Sequence, residues 1–175
     1  MLYQEIEGNL ITFAREGMFN VITHGCNCLC NMGAGIAPQM AKEFGCDKFK
    51  MEGKEYVGNV NKLGTIDYQT MWFEDEKKWT QYPDEGGQWT THKLVVVNSY
   101  TQYSYGKNHA DGVTKPLDYE ALTLCLRKIG YIFKGQRIGL PQIGCGLAGG
   151  DWNIVKNIIQ TELKDCDVTV VIFKK

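Results

Sequence analysis

At 175 residues, with 43% hydrophobic and 22% charged content, the chain is one globular domain, long enough to bury a core without disulfide or metal staples. A net charge of −1 excludes the broad basic field of a duplex nucleic-acid binder, while backbone N–H groups can still hold a small anion. No apolar run approaches the ~20 residues of a membrane span, Met1-Leu2-Tyr3-Gln4-Glu5 lacks a secretory pattern, and an odd cysteine count of seven favours reduced thiols in a cytoplasm.

Tyr3–Ile6 reads as a short strand, with Gly8-Asn9 as a turn before Leu10-Ile11. Phe19–Thr23, apolar and bounded by Gly17 and Gly25, reads as a buried strand. Ile36, Ala37, Met40, Ala41 and Phe44 recur at helical spacing, and Gly45 suits a C-cap. Residues 46–62 are polar, helical or irregular, and Leu63–Gln69 reads as a strand. Met71–Thr91, rich in Trp, Lys, Glu and Gly, reads as a surface hairpin turning at Tyr82–Gly87, with Trp72, Trp79 and Trp89 as a patch.

Lys93–Asn98, centred on Leu94-Val95-Val96-Val97, carries the strongest buried-strand signal. Ser99–Lys115 is polar and aromatic, a long loop of the kind that carries function; Tyr100, Gln102, Tyr103 and Tyr105 suit either a lid over a ligand or ordinary loop aromatics. Pro116–Ile129 is helical, with Leu117, Ala121, Leu124 and Cys125 on one face. Arg137–Leu140 is a strand, Asp151–Leu163 a helix burying Trp152, Val155, Ile159 and Leu163, and Val168–Phe173 the last strand. The alternation predicts an α/β layered fold with a parallel or mixed sheet, and residues 1–175 as a single domain without repeat or linker.

Two glycine-rich segments each follow an apolar run and lead into a helical pattern: Gly25–Gly35 and Gly144–Gly150. Such strand–loop–helix junctions expose backbone N–H groups and the positive end of a helix dipole, and two of them suit a ligand with more than one phosphate. Gly144, Gly146 and Gly149 satisfy G-x-G-x-x-G, but the acidic partner of a dinucleotide site is missing, with only Asp167 at a strand start. The first loop has Pro38 where the third glycine belongs, and neither loop ends in Gly-Lys-Ser/Thr. A phosphate site with neither lysine nor metal motif remains; a tight turn with close helix packing is the other reading of the second loop. Cys26, Cys28 and Cys30 with His24 do not follow the paired Cys spacing of zinc sites. Cys26 and Cys145, one from each loop, are expected to line the cleft facing each other.

Val21-Ile22-Thr23-His24-Gly25-Cys26-Asn27, Met32-Gly33-Ala34-Gly35-Ile36-Ala37 and Leu140–Leu147 together resemble the macro domain family. The likeness is closer to the branch that contains the yeast-type ADP-ribose-1''-phosphate phosphatase and the terminal ADP-ribose glycohydrolase, and it covers nearly the whole chain; only the Met71–Thr91 insertion has no counterpart. It implies a three-layer α/β/α fold with a mixed central sheet and an ADP-ribose cleft over the strand ends, with no cofactor. Asn9 would accept from the adenine amino group and Leu10 would contribute backbone. Phe173 would stack on adenine, unless it is a plain core aromatic. Asn27 would lie near the distal ribose, unless it is an Asx-turn residue. Gly33, Ala34, Gly35 and Ile36 would form the first diphosphate loop, and Gly144, Cys145, Gly146, Leu147 and Ala148 the second.

His24 matches the histidine proposed as catalytic in the phosphatase branch, and fits a structural hydrogen-bonding role equally well. Asp151 suits a catalytic base, and first of all a helix N-cap. Ala148 stands where the glycohydrolase carries its aspartate, and Asn98–Gln102 offers no match for its nucleophilic lysine. The expected activity is therefore hydrolysis of ADP-ribose 1''-phosphate by a cytoplasmic, cofactor-free monomer with no membrane partner. The alternatives are a glycohydrolase acting on an ADP-ribosylated protein or nucleic acid, and a non-catalytic ADP-ribose reader.

Overall fold

A computed structural model describes residues 2–49, 57–74, 78–82, 89–105 and 116–174. Chain order is β1 (Tyr3–Glu7), α1 (Leu10–Arg15), β2 (Val21–Asn27), α2 (Ala37–Phe44), β3 (Ile66–Glu74), β4 (Lys78–Thr80), β5 (Trp89–Gln102), α3 (Tyr119–Ile132), β6 (Arg137–Leu140), α4 (Trp152–Glu162) and β7 (Asp167–Ile172). The strands form one sheet in the order β1-β7-β6-β2-β5-β3-β4. The first five in that order are mutually parallel, and β3 and β4 run antiparallel at the far edge. The sheet is mixed, as expected.

Parallel strands covered on both faces are apolar almost throughout, which is why Leu94-Val95-Val96-Val97 is legible as a strand. Successive side chains point to opposite faces. From β2 and β5, Ile22, Leu94 and Val96 join Leu10, Ile11 and Ala14 of α1 and Met40 and Phe44 of α2. Val21 and Val97 join Leu122, Leu126 and Ile129 of α3 and Val155 and Ile159 of α4 on the other face. Two helical layers thus sandwich the sheet, giving α/β/α.

Several element boundaries differ from the sequence reading. Helix α1 was not anticipated: six residues show too little periodicity, and Asn9 defines it by accepting from Ile11 N at 2.9 Å and Thr12 N at 3.2 Å. Gly45 is the expected C-cap of α2, with φ 63°. Residues 99–102 are strand, not loop, because Ser99, Tyr100 and Thr101 are buried and β5 pairs with β2 as far as Gln102. The Met71–Thr91 segment extends the main sheet through β3, β4 and the start of β5. Trp79 points inward, its ring 5.6 Å from Phe44 and 4.9 Å from Phe73, so it belongs to the core and not to a surface patch. Residues 83–87 of the expected turn, the Trp89 side chain and residues 106–115 lie outside the described residues. In α3 the cap is Asp118, Leu117 precedes the helix, and Leu124 faces outward.

Candidate functional site

Strands β2 and β6 are neighbours, so the loops that follow them begin side by side at the carboxyl edge of the sheet. The chain then leaves β2 for α2 on one face and β6 for α4 on the other, which opens the crevice where open α/β sheets bind ligands.

Asn27, almost fully buried, shapes the first loop from inside: its Nδ2 donates to Asn31 O at 2.8 Å and its Oδ1 accepts from Asn31 N at 3.1 Å. Both polar groups of that side chain serve the turn. Gly33, Ala34 and Gly35 then run along the surface, Gly35 with φ 65° and open space where a Cβ would stand. The first amides to bond back belong to Gln39 and Met40, both to Ile36 O, and Pro38 has no N–H. Among the described residues, no backbone carbonyl takes the N–H groups of Gly33, Ala34, Gly35, Ile36 or Ala37. They form the unspent donors at the N-terminus of α2.

The second loop is braced by Cys145 N to Gln142 O at 3.1 Å, Gly149 N to Gly146 O at 3.1 Å and Gly150 N to Gly144 O at 2.8 Å. The N–H groups of Gly144, Gly146, Leu147 and Ala148 have no backbone acceptor among the described residues. Leu147 is exposed, Ala148 buried and Cys145 half-buried. Asp151 caps α4, accepting from Asn153 N at 2.8 Å, while its own N–H reaches the Tyr119 hydroxyl at 2.9 Å. Its carboxylate is solvent-exposed.

At the far side of the same edge, Gly8 N donates to Ile172 O at 3.0 Å, which brings Asn9 and Leu10 beside Phe173. Phe173 is 60% exposed and is no core aromatic. The Asn9 Oδ1 is engaged by the two amides it caps, the Leu10 side chain is in the core, and among the described residues the Leu10 N–H has no backbone acceptor.

His24 lies beneath the cleft floor and is 0% exposed. Its Nε2 meets Asn98 Oδ1 at 2.8 Å, with Cys26 Sγ at 3.6 Å and Cys46 Sγ at 3.7 Å. Asn98 Nδ2 donates to Asp67 Oδ1 and to Cys46 O, both at 2.8 Å, and Tyr100 Oη donates to Asp67 Oδ2 at 2.6 Å. The Lys62 ammonium stands 3.9 Å from Asp67 Oδ2 and 4.2 Å from the Tyr100 ring centre. Asp67, Asn98 and Tyr100 were not singled out for this network. The available signal was a run of polar residues continuing an apolar strand, which also reads as a loop. Tyr100 and Tyr103 are anchored, the latter to Gly58 O at 2.8 Å, so neither is a lid.

Burial, opposed by the Asn98 hydrogen bond, lowers the His24 pKa from 6.5 to about 4. Burial also raises Cys46 to about 12 and Cys28 to about 11, so imidazole and thiols are all neutral at pH 7. The unfolded chain therefore binds His24's proton before the folded one does. Stability is full above pH 6.5 and falls as pH drops toward about 4, a loss on the order of 3 kcal/mol from this group. Urea unfolding at pH 7 and pH 4.5 is expected to show the acid loss shrink by that amount in His24→Gln; parallel losses in the two proteins would contradict it.

Cys26 and Cys145 do not face each other. Cys26 packs with Cys28 and Tyr100 on the α2 face of the sheet, and Cys145 against the α3–α4 face. Among the described residues no group of three His, Cys, Asp or Glu side chains is arranged to hold a metal ion.

No family model matches the chain. An uncharacterized 17.5 kDa protein from the tk-vs intergenic region of Enterobacteria phage T4 is 28% identical, over 98% of this chain and 96% of that one. The macrodomain of Thermus aquaticus DarG superposes with a TM-score of 0.58 at 20% identity, covering 99% of both chains. This is the macro domain fold. A second macro-fold neighbour, Thermosipho africanus DarTG solved in complex with ADP-ribose, gives a TM-score of 0.65 at 18% identity, over 98% of this chain and 42% of that one. The macro fold puts both glycine loops, Asn9 and Phe173 on one edge of one sheet, and His24 inside it.

Proposed function

We propose that the chain binds ADP-ribose in the cleft between the two glycine loops and hydrolyses ADP-ribose 1''-phosphate to ADP-ribose and phosphate. The observation that carries the binding is the pair of loops whose unspent N–H groups flank one crevice, residues 33–37 on one side and Gly144, Gly146, Leu147 and Ala148 on the other. Donors on both walls suit a diphosphate. The exposed Phe173 ring, next to the Leu10 N–H, suits an adenine stacked at one end. The ADP-ribose held by the DarTG neighbour supports the same ligand class.

For hydrolysis, water attacks the terminal phosphorus, the P–O bond to C1'' breaks, and the leaving oxygen keeps the electron pair and takes a proton. Asp151, exposed at the end of the second loop, is the carboxylate within solvent reach to accept the water's proton. His24 acts from below, holding β2 and β5 together through Asn98. A second reading, ADP-ribose binding without turnover, is favoured by one observation: no atom of His24 reaches the surface.

Phosphate release from ADP-ribose 1''-phosphate separates the two readings. Turnover lost in Asp151→Asn with ADP-ribose affinity retained supports the hydrolase, and binding without any phosphate release supports the reader. Phe173→Ala is expected to weaken ADP-ribose binding about tenfold, the scale of a lost base–aromatic stack, with an unchanged melting temperature because the ring is exposed. Unchanged affinity in a calorimetric titration would remove Phe173 from the site.

A further inference from the structure

Main-chain N–H groups only donate, which suits phosphate oxygens. A sugar hydroxyl both donates and accepts, and a side-chain amide answers both needs. Between Cys28 and Ala37 one side chain is an amide or a hydroxyl, that of Asn31.

The loop fixes the Asn31 backbone and leaves its side chain free. Both polar groups of the buried Asn27 side chain hold it, Nδ2 on Asn31 O at 2.8 Å and Oδ1 on Asn31 N at 3.1 Å. Cys28 is clamped from outside the loop: its N–H donates to Tyr103 O at 2.9 Å, and its carbonyl accepts from Gly58 N at 2.7 Å. The Tyr103 hydroxyl closes that clamp on Gly58 O at 2.8 Å. Cys30, just before Asn31, has φ 57°, and among the described residues no other non-glycine residue has a positive φ. Such sparsely populated backbone persists where its surroundings enforce it, and it gathers at ligand-binding segments.

The side chain carried by this framework is exposed, and among the described residues neither Oδ1 nor Nδ2 of Asn31 has a hydrogen-bond partner. It lies along the first of the unspent donors: Oδ1 stands 2.8 Å from where a Cβ on Gly33 would be, so glycine there leaves room for the amide. Strand order sets which end of the cleft this is. Phe173 follows β7, the second loop follows β6 and the first follows β2, in that order along the edge. A ligand with its base at Phe173 and its diphosphate between the loops carries its second sugar toward Asn31.

We propose that Asn31 recognises the terminal ribose, Oδ1 accepting from one hydroxyl and Nδ2 donating to its neighbour, and so sets a preference for ADP-ribose over ADP. The assignment rests on the ADP-ribose reading above, and it moves the sugar contact from Asn27, which serves the turn, to the residue that Asn27 holds.

Calorimetric titration of the parent chain and of Asn31→Ala, each with ADP-ribose and with ADP, tests it. The parent is expected to bind ADP-ribose about tenfold tighter than ADP, the scale of two ordinary hydrogen bonds. Asn31→Ala is expected to lose that tenfold for ADP-ribose, to keep the parent's affinity for ADP, and to melt with the parent. Equal losses for both ligands would mark a merely structural residue and overturn the assignment, as would no loss for either or a parent without preference. A parent that binds neither ligand would overturn the ADP-ribose reading itself, and the assignment with it.

Discussion

Gly144→Val is expected to weaken the proposed ADP-ribose binding at least about 100-fold and to lower the melting temperature. Gly144 has φ +73°, a conformation that costs an ordinary L-residue about 1–2 kcal/mol and a β-branched one more. A Cβ there would lie 2.6 Å from Leu117 Cδ1 and 2.8 Å from Cδ2. Leu117 is buried and its N–H is tied to Ala148 O of the loop at 3.2 Å, so its methyls must shift within packed surroundings. Overpacking adds about 1–3 kcal/mol, and the rearrangement turns the loop's donors away from the cleft. We expect a loss of at least about 100-fold in affinity, on the order of 3 kcal/mol. Gly146→Ala is the control. Its Cβ meets open space, so stability is expected to stay within about 0.5 kcal/mol of the parent. Parent-like binding and melting in Gly144→Val would show that the loop's shape is not what makes the cleft.

Asn98→Ala is the largest stability loss expected outside the loops. Asn98 is 0% exposed, and its amide joins four groups: His24 Nε2, Asp67 Oδ1, Cys46 O and, through Asp67, the Tyr100 hydroxyl. Removing it takes the Asn98 donor from Asp67 and from Cys46 O and the oxygen acceptor from His24 Nε2, in a region closed to water, while Asp67 keeps Tyr100 and Lys62. Breaking a buried charged network from one side costs about 3–5 kcal/mol. Tyr100→Phe removes only one donor to Asp67 and is expected to cost about 1–2 kcal/mol. Urea denaturation ranks the two variants; an Asn98→Ala loss no larger than that of Tyr100→Phe would contradict the network's central role.

The sequence made the glycine loops legible because their residue types leave few alternatives. Apolar strand, small residues and helical pattern follow one another twice, and each local choice agrees with the same α/β architecture. The buried halves of β2, β5, β6 and β7 were legible for the same reason. What escaped was whatever depends on tertiary partners. Ser99, Tyr100 and Thr101 look like loop residues until Asp67, Asn98 and Thr23 are placed beside them. Trp79 looks like a surface aromatic until Phe44 and Phe73 close over it. Helix α1 is six residues long, and its best signal, the Asn9 cap, reads as a turn.

The functional residues divide along the same line. Backbone donors follow from glycine placement and strand order, and both glycine loops lie at the carboxyl edge of the sheet. Side-chain roles do not follow so directly. Asn9, Asn27 and Asp151 each spend polar atoms on local structure, two as helix caps and one in an Asx-type turn. His24 sits in the sheet with its partners around it. Of the expected site groups, the cleft therefore leaves accessible the main-chain N–H groups, the exposed Asp151 residue and the Phe173 ring.

Calorimetric titration of the unmodified chain with ADP-ribose is expected to show one saturable site at micromolar or tighter affinity, about −8 kcal/mol or better. No heat of binding with ADP-ribose at about 1 mM would contradict it.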